Sequence, residues 1–378
     1  MITQDQFRSY FEVADKRLYF NHAAYSPISK PVINAINEFL ELRQSGSPLS
    51  WKVAEEHMEG LRANYGKLVG APSQRIAHMA NTVAGINVLA NGLDWKPGDH
   101  VILYVDEFPS NVMPFLNLKD KGVEVEFISA PDGRVTSELF SAALKPQTKL
   151  ISISSVQYLT GYRADLKALS QLCHAKDIIL SVDAIQSVGV IPTDVLELGV
   201  DFMAVGGHKW MMSPLGTGFI YVTEELQSRL KLASRGYMGH VNPVDFGNFD
   251  QELTSDAKRF ELGAFNASGM VGAEKATQLL LACGVDSIFR HVRTLIGQFE
   301  WGLDNLPYKL MYGFQENEMS SICMFSHEDV SQNESIFKRL TEAGVNISLR
   351  GGGLRLAPHY YNTTSEIEEL LSLLKESL

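Results

Sequence analysis

Three short segments of the chain carry residue types that can do chemistry together. Ser181-Val-Asp-Ala-Ile-Gln-Ser187 delivers an acid as an apolar run ends. Ala204-Val-Gly-Gly-His-Lys-Trp-Met-Met-Ser-Pro-Leu-Gly-Thr-Gly218 sets a lysine beside a histidine between glycines, and His78-Met-Ala-Asn-Thr-Val-Ala-Gly85 is a small polar turn that opens a helix pattern. An amine condenses with an aldehyde to a Schiff base, a carboxylate keeps a pyridine nitrogen protonated, and free N–H groups at a helix start hold a phosphate. Lys209, Asp183 and Asn81-Thr82 offer these three functions, which together are what pyridoxal phosphate requires. Singly, each has a plainer reading, as a solvated charge, a turn former and a helix cap. Their order within one alternating stretch is what makes the joint reading specific.

Such groups need a sheet to position them. Short β-branched runs alternate with helical periodicity over the first two thirds of the chain, the pattern of a mostly parallel central sheet with helices on both faces. Strands are predicted over residues 101–105, 123–127, 150–153, 178–182, 202–205 and 218–222. Helices are predicted from about Val83 to Leu93, capped by Asn81-Thr82, and over Leu166 to Lys176 behind Asp165. In open α/β sheets ligands bind outside the carboxyl ends of the strands, and all three segments fall there. After about Leu253 two long helices, Gly269 to Cys283 and Ile288 to Leu303, lead to isolated strands near Ile322 to Phe325 and Leu354 to Ala357. A last amphipathic helix covers Ser365 to about Leu374. The expected organisation is a large α/β domain, residues 21–280, with a smaller α+β domain made of residues 1–20 and 281–378.

Composition narrows the partners. With 33 basic and 44 acidic side chains among 378 residues, the net charge of −11 argues against nucleic acid or an anionic membrane surface, both of which ask for a basic patch. No apolar run is long enough to span a bilayer, and the charged stretch from Met1 to Arg17 reads as neither signal peptide nor anchor. Cys173, Cys283 and Cys323 are odd in number and widely spaced, which predicts a reducing, cytoplasmic setting and no cysteine metal site.

Asp183-Ala-Ile-Gln186, Gly207-His-Lys209 and Pro214-Leu-Gly-Thr-Gly218 resemble the class V aminotransferase family of fold-type I pyridoxal-phosphate enzymes. That family includes cysteine desulfurases, selenocysteine lyases, kynureninase and isopenicillin N epimerase-like proteins. The likeness starts at Tyr19-Phe-Asn-His-Ala-Ala24 and runs through Arg259-Phe-Glu-Leu-Gly263 to Leu354-Arg-Leu-Ala-Pro-His-Tyr-Tyr-Asn362. It implies a fold-type I homodimer with its active site near the subunit interface and a small amino acid as substrate. It further implies that Lys209 carries the Schiff base, that Asp183 pairs with the pyridine nitrogen, and that Gln186 and Gln157 meet the phenolic oxygen. Asn81, Thr82 and His208 would serve the phosphate. Arg355 would grip the substrate α-carboxylate, with Arg350 as a second candidate, because a planar guanidinium meets a carboxylate in bidentate fashion.

Departures from the family pattern narrow the reaction. Desulfurases carry a nucleophilic cysteine on a flexible loop, and the corresponding Arg350-Gly-Gly-Gly-Leu-Arg355 is short and has none. Cys323 reads instead as a small buried strand residue. Phe108 stands where desulfurases stack a histidine on the cofactor ring; a phenyl group can stack but moves no proton, which leaves acid–base work to Lys209. Gly206 stands where relatives often use a serine on the phosphate, and Ala264 where many supply a threonine hydroxyl from the partner subunit, so backbone N–H groups are expected to carry more of it. The expected reaction is transamination or β-elimination, ahead of epimerisation and of a sulfur or selenium lyase without an enzyme cysteine. A nicotinamide dehydrogenase would need a GxGxxG after an early strand, and a non-catalytic relative would have no use for Lys209, Asp183 and Arg355 together. The substrate side-chain pocket is expected near His22 to Tyr25, Tyr237 to His240 and His359.

Overall fold

Seven strands make the main sheet of the computed structural model, which describes residues 2–376. They are β1 (Ile76–Met79), β2 (His100–Tyr104), β3 (Glu124–Ile128), β4 (Thr148–Ser154), β5 (Ile179–Asp183), β6 (Phe202–Gly206) and β7 (Gly218–Val222). Their order is β1-β7-β6-β5-β4-β2-β3, with β7 antiparallel to both neighbours and every other pairing parallel. β5 and β6 are buried along their whole length, which is why they read as continuous apolar runs rather than as alternation. The chain builds outward from β2 to β3 on one side and from β4 to β6 on the other, and a crevice opens at the carboxyl ends where that direction reverses.

The six expected strands are present, displaced by a few residues at most. β1 was not expected: Ile76-Ala-His-Met79 is four residues long and holds a histidine, whose Nε2 is satisfied by the Met58 carbonyl at 3.0 Å. Helices α1 (Lys30–Gln44) and α2 (Ser50–Val69) also went unforeseen. α1 buries only Val32 and Phe39, so little of an apolar stripe marks it in the sequence. Helix α3 (Thr82–Gly92) starts at its expected cap, Asn81 Oδ1 accepting the Ala84 N–H at 2.9 Å, and α4 (Leu166–His174) starts at Asp165 in the same way. α5 (Ala267–Cys283) lies across α1 and α2, and α6 (Val285–Gly302) follows it.

The second sheet is antiparallel, with β8 (Tyr308–Leu310), β9 (Cys323–His327), β10 (Ser348–Arg350) and β11 (Gly353–Leu356) in the order β10-β11-β9-β8. Near it Leu18–Tyr19 pairs in parallel with Val345–Asn346, and Asn21 bridges to Ala357. β10 and β11 are joined by Gly351 and Gly352 at φ 54° and 79°, the two positive φ values that a tight two-residue hairpin demands and that glycine adopts without strain. Helix α7 (Thr364–Glu376) closes the described chain. Among the described residues no helix is long and apolar enough to cross a membrane.

One buried ion pair fixes the strand that leads into α3. Arg62 on α2 donates to the Ile76 carbonyl at 2.9 Å and reaches both carboxylate oxygens of Glu261, at 2.5 and 3.2 Å. Glu261 also accepts the His78 N–H at 2.8 Å, and both partners are 2% exposed. Removing one member of such a pair strands a buried charge, at a cost of about 3–5 kcal/mol. Glu261→Gln is therefore expected to lower the unfolding free energy by about 3 kcal/mol, seen as a lower urea midpoint at unchanged slope. Lys258→Gln, which removes the partly exposed pair between Lys258 and Glu59 at 2.8 Å, is expected to change it by less than about 1 kcal/mol.

Candidate active site

Asp183 is the last residue of β5, and Lys209 follows the end of β6 by three positions. Because the two strands are neighbours in parallel register, both side chains arrive at the same end of the sheet. There a cavity of about 260 Å³ is lined by Asn81, Thr82, Phe108, Asp183, Gln186, His208, Lys209, Arg350 and Arg355, with Ala23, Ala24 and Tyr158 among the rest. Of the residues named from sequence for the cofactor and the substrate carboxylate, Gln157 alone stands outside this lining, and it is buried.

Lys209 is 8% exposed, and burial is the main cause that pushes its ammonium down to about 8. Asp183 works against that shift, and Arg355 and Arg350 add to it. The lysine Nζ lies 5.5 Å from the centre of the Phe108 ring, itself edge-on to Tyr158 at 5.3 Å. Burial likewise pushes the Asp183 carboxyl up to about 7. Its Oδ1 accepts the Ile185 N–H at 3.0 Å, but its buried Oδ2 has no partner. Buried acceptors are costly when unpaired, and a protonated pyridine nitrogen is a donor of the kind this oxygen lacks.

The phosphate end is built from the start of α3. Thr82 Oγ1 is buried without a partner, and a side chain at Gly206 would bring a Cβ to 3.2 Å from it and 3.1 Å from Ile185 Cδ1. Glycine at 206 thus leaves open the space that a serine would narrow. Burial first, and Lys209 second, push His208 down to about 4, so its imidazole is neutral at neutral pH. An amine, an orphaned acceptor and an open helix start in one cavity fit pyridoxal phosphate.

Arg355 is 2% exposed, yet among the described residues its guanidinium makes one hydrogen bond, from Nη1 to the Tyr158 carbonyl at 2.9 Å, and Nε is unpartnered. Burial, then Arg350, push the guanidinium down to about 10. A buried guanidinium without a carboxylate partner is poised for an anionic ligand. Arg350 is exposed at the rim and donates to the Leu349 carbonyl at 3.1 Å.

Glu107 escaped the sequence reading. It is buried and accepts the Ser154 N–H at 2.7 Å, the Ser154 hydroxyl, and Gln157 Nε2 at 2.7 Å. Burial pushes this carboxyl up, and the three donors pull it back. It orients the Gln157 amide, whose Oε1 is left without a partner. Its only sequence signal is an acid directly before Phe108 at a strand end. Gln186 has less freedom than the resemblance implied, since Nε2 donates to the Ala23 carbonyl at 3.0 Å and Oε1 accepts from Trp210 at 2.8 Å, which leaves one N–H free.

Other expectations meet a different geometry. His22 and His359 do not line the cavity; their rings lie 5.0 Å apart in a buried cluster, His22 on Ser26 Oγ at 2.7 Å and His359 on the Trp210 carbonyl at 3.1 Å. Tyr237 and His240 line a separate surface hollow with Phe246 and Phe249. Ala264, expected to serve the phosphate of the partner subunit, lines in its own chain an apolar cavity shared with His78 and Phe265. Cys173, Cys283 and Cys323 are all buried, none lines the Lys209 cavity, and burial pushes each thiol up.

Similarity to known proteins covers the chain end to end. The family described as Aminotransferase class-V matches residues 18–370. The "Probable cysteine desulfurase" of Methanothermobacter thermautotrophicus is 27% identical across 95% of this chain and 94% of its own length. The "Uncharacterized aminotransferase YcbU" of Bacillus subtilis is 28% identical across 97% and 96%. The apo structure of cysteine desulfurase from Thermococcus onnurineus aligns with a TM-score of 0.88 at 25% identity, over 100% of this chain and 98% of that one. The chain therefore belongs to the class V aminotransferases, pyridoxal-phosphate-dependent transferases and lyases that act on amino acids.

Proposed function

We propose that the enzyme removes the Cα proton of a small amino acid and completes a transamination with Lys209 as its only proton carrier. One juxtaposition supports this reading: the Lys209 amine and the unpaired Arg355 guanidinium face one cavity, with an aromatic ring where a second base would stand. Bound pyridoxal phosphate supplies the aldehyde that condenses with amines and the ring that draws the electron pair from Cα. Arg355 holds the α-carboxylate and so aims Cα–H toward Nζ. Lys209, pushed down to about 8, accepts that proton and holds it on Nζ for return. Asp183 Oδ2 keeps a proton at the pyridine nitrogen, while Gln157, oriented by Glu107, and the free N–H of Gln186 serve the phenolic oxygen. Asn81 starts the helix whose first N–H groups, with Thr82 and His208, hold the phosphate. Phe108 covers the ring and excludes water.

β-Elimination is the second reading, favoured by the relatives named as desulfurases, since a sulfur leaving group departs as a stable anion without help from an acid. Three buried cysteines away from the cavity weigh against an enzyme persulfide. On either reading, residues 21–280 hold the cofactor, and the unit formed by residues 1–20 and 281–378 brings the arginines to it. A second copy of the chain is the proposed partner, because Phe246 and Phe249, which line one surface hollow, are 70% and 86% exposed.

Borohydride reduction of the holoenzyme is expected to fix a pyridoxyl group on Lys209, found by mass spectrometry, and Lys209→Ala to lose it with about 10³-fold of the turnover. No adduct at Lys209 would overturn the reading. Keto acid formed only in the presence of a keto-acid acceptor identifies transamination, whereas ammonia and keto acid without one identify elimination. In the cofactor-free chain, acetylation of Lys209 is expected to rise with pH through about 8, since the free amine reacts and the ammonium does not. Arg355→Gln removes a neighbouring positive charge, favours the ammonium, and is expected to move that midpoint upward. Light scattering is expected to give twice the mass of one chain.

A further inference from the structure

Arg350 and Arg355 sit on the two strands of one hairpin. The register sets Ser348 opposite Arg355 and Arg350 opposite Gly353. Residues directly opposed in an antiparallel pair share a face, as do residues two apart on one strand. The two arginines therefore occupy one face as diagonal neighbours, about 7–8 Å apart at the backbone, held there by the Gly351-Gly352 turn. Like charges so placed repel, and Arg350 contributes to the downward shift of both Arg355 and Lys209.

Among the described residues no carboxylate relieves them. The Arg355 guanidinium donates to the Tyr158 carbonyl and that of Arg350 to the Leu349 carbonyl. Asp106, the exposed acid on the loop that bears Phe108, accepts the Tyr104 hydroxyl at 3.0 Å instead. Lys209 adds a third cation to the same cavity, whose one lining carboxylate is Asp183. The two guanidiniums also differ in depth, Arg355 being buried and Arg350 exposed at the rim. One carboxylate at the depth of Arg355 leaves the rim cation unpaired.

We infer that Arg350 is a specificity-determining residue that receives a second carboxylate, carried at the far end of the substrate, so that the substrate class is amino acids bearing a second acidic group. This rests on the reading of Lys209 and Arg355 given above and names the substrate class of that site. The α-carboxylate seats on Arg355 deep in the cavity, and the distal one neutralises Arg350 at the mouth. Both are charge-assisted contacts, each worth about tenfold or more in affinity when well formed. Neutral side chains forgo the second contact.

Calorimetric titration of the holoenzyme with succinate and with butyrate tests this, because both lack an amine and read the guanidiniums without chemistry. Succinate is expected to bind about tenfold tighter or more. Arg350→Gln is expected to bring the two within about twofold by weakening succinate, Arg350→Lys to keep part of the gap, and Arg355→Gln to weaken both ligands. Turnover should follow, with kcat/KM for aspartate or glutamate at least about tenfold above that for asparagine or glutamine. Equal binding of succinate and butyrate, or an Arg350→Gln that weakens both alike, overturns the inference. If Lys209 is labelled by borohydride and neutral amino acids turn over as well as acidic ones, this inference falls and the proposed function stands. If Lys209 takes no label, the proposed function falls, while the succinate titration still reports on Arg350.

Discussion

An aspartate and a lysine buried side by side at the ends of two parallel strands, yet not paired with each other, are the constraint on which the rest of this structure turns. Burial pushes Asp183 up and Lys209 down, so each is held near the pH where it changes charge. A direct ion pair would relieve both groups and would also consume them. Instead the carboxylate keeps an unpartnered oxygen, and the amine lies over the Phe108 ring. Stability is given up at this point, and a ligand that supplies a donor to one and an electrophile to the other returns it.

Holding such groups apart requires a scaffold that does not relax around them. The register between β5 and β6 sets the backbone positions, and the residue after Lys209 locks the loop: Trp210 is fully buried, donates to Gln186, and offers its carbonyl to His359. Gln186 in turn donates to the Ala23 carbonyl in the segment that leads into α1. The lysine loop is thereby tied to both the amino-terminal stretch and the region that carries the arginines. On the opposite wall, Arg62 and Glu261 hold β1, and β1 leads directly into the start of α3.

Much of this was legible in the sequence, for physical reasons that also mark where it was not. Strands buried on both faces must be apolar and β-branched, so β2 and β4 to β7 declare themselves. β1 conceals itself because its polar His78 is satisfied by a carbonyl on α2, a partner that only the fold brings near. The cofactor was legible because glycines, a lysine and an acid occur in an order that few other tasks need. Glu107 was not, since a buried acid differs from an exposed one only in its donors, and here these come from Ser154 and Gln157 some fifty residues away. His22 and His359 misled in the opposite sense: histidine suggests a pocket, but packing against Trp210 and Tyr361 made them core.

The hairpin of β10 and β11 joins two features that look unrelated in the sequence, the missing nucleophile and the pair of arginines. Gly351 and Gly352 close the turn with the fewest residues a hairpin allows, and that leaves no loop on which a thiol could travel to a substrate. The same short turn fixes Arg350 and Arg355 in register on one face, which a longer loop would not. A mobile nucleophile and a fixed pair of cations are therefore alternatives for this stretch of chain, and this sequence has the second. On that reading the substrate is discriminated here by where its negative charges lie, and the chemistry on it is left to Lys209.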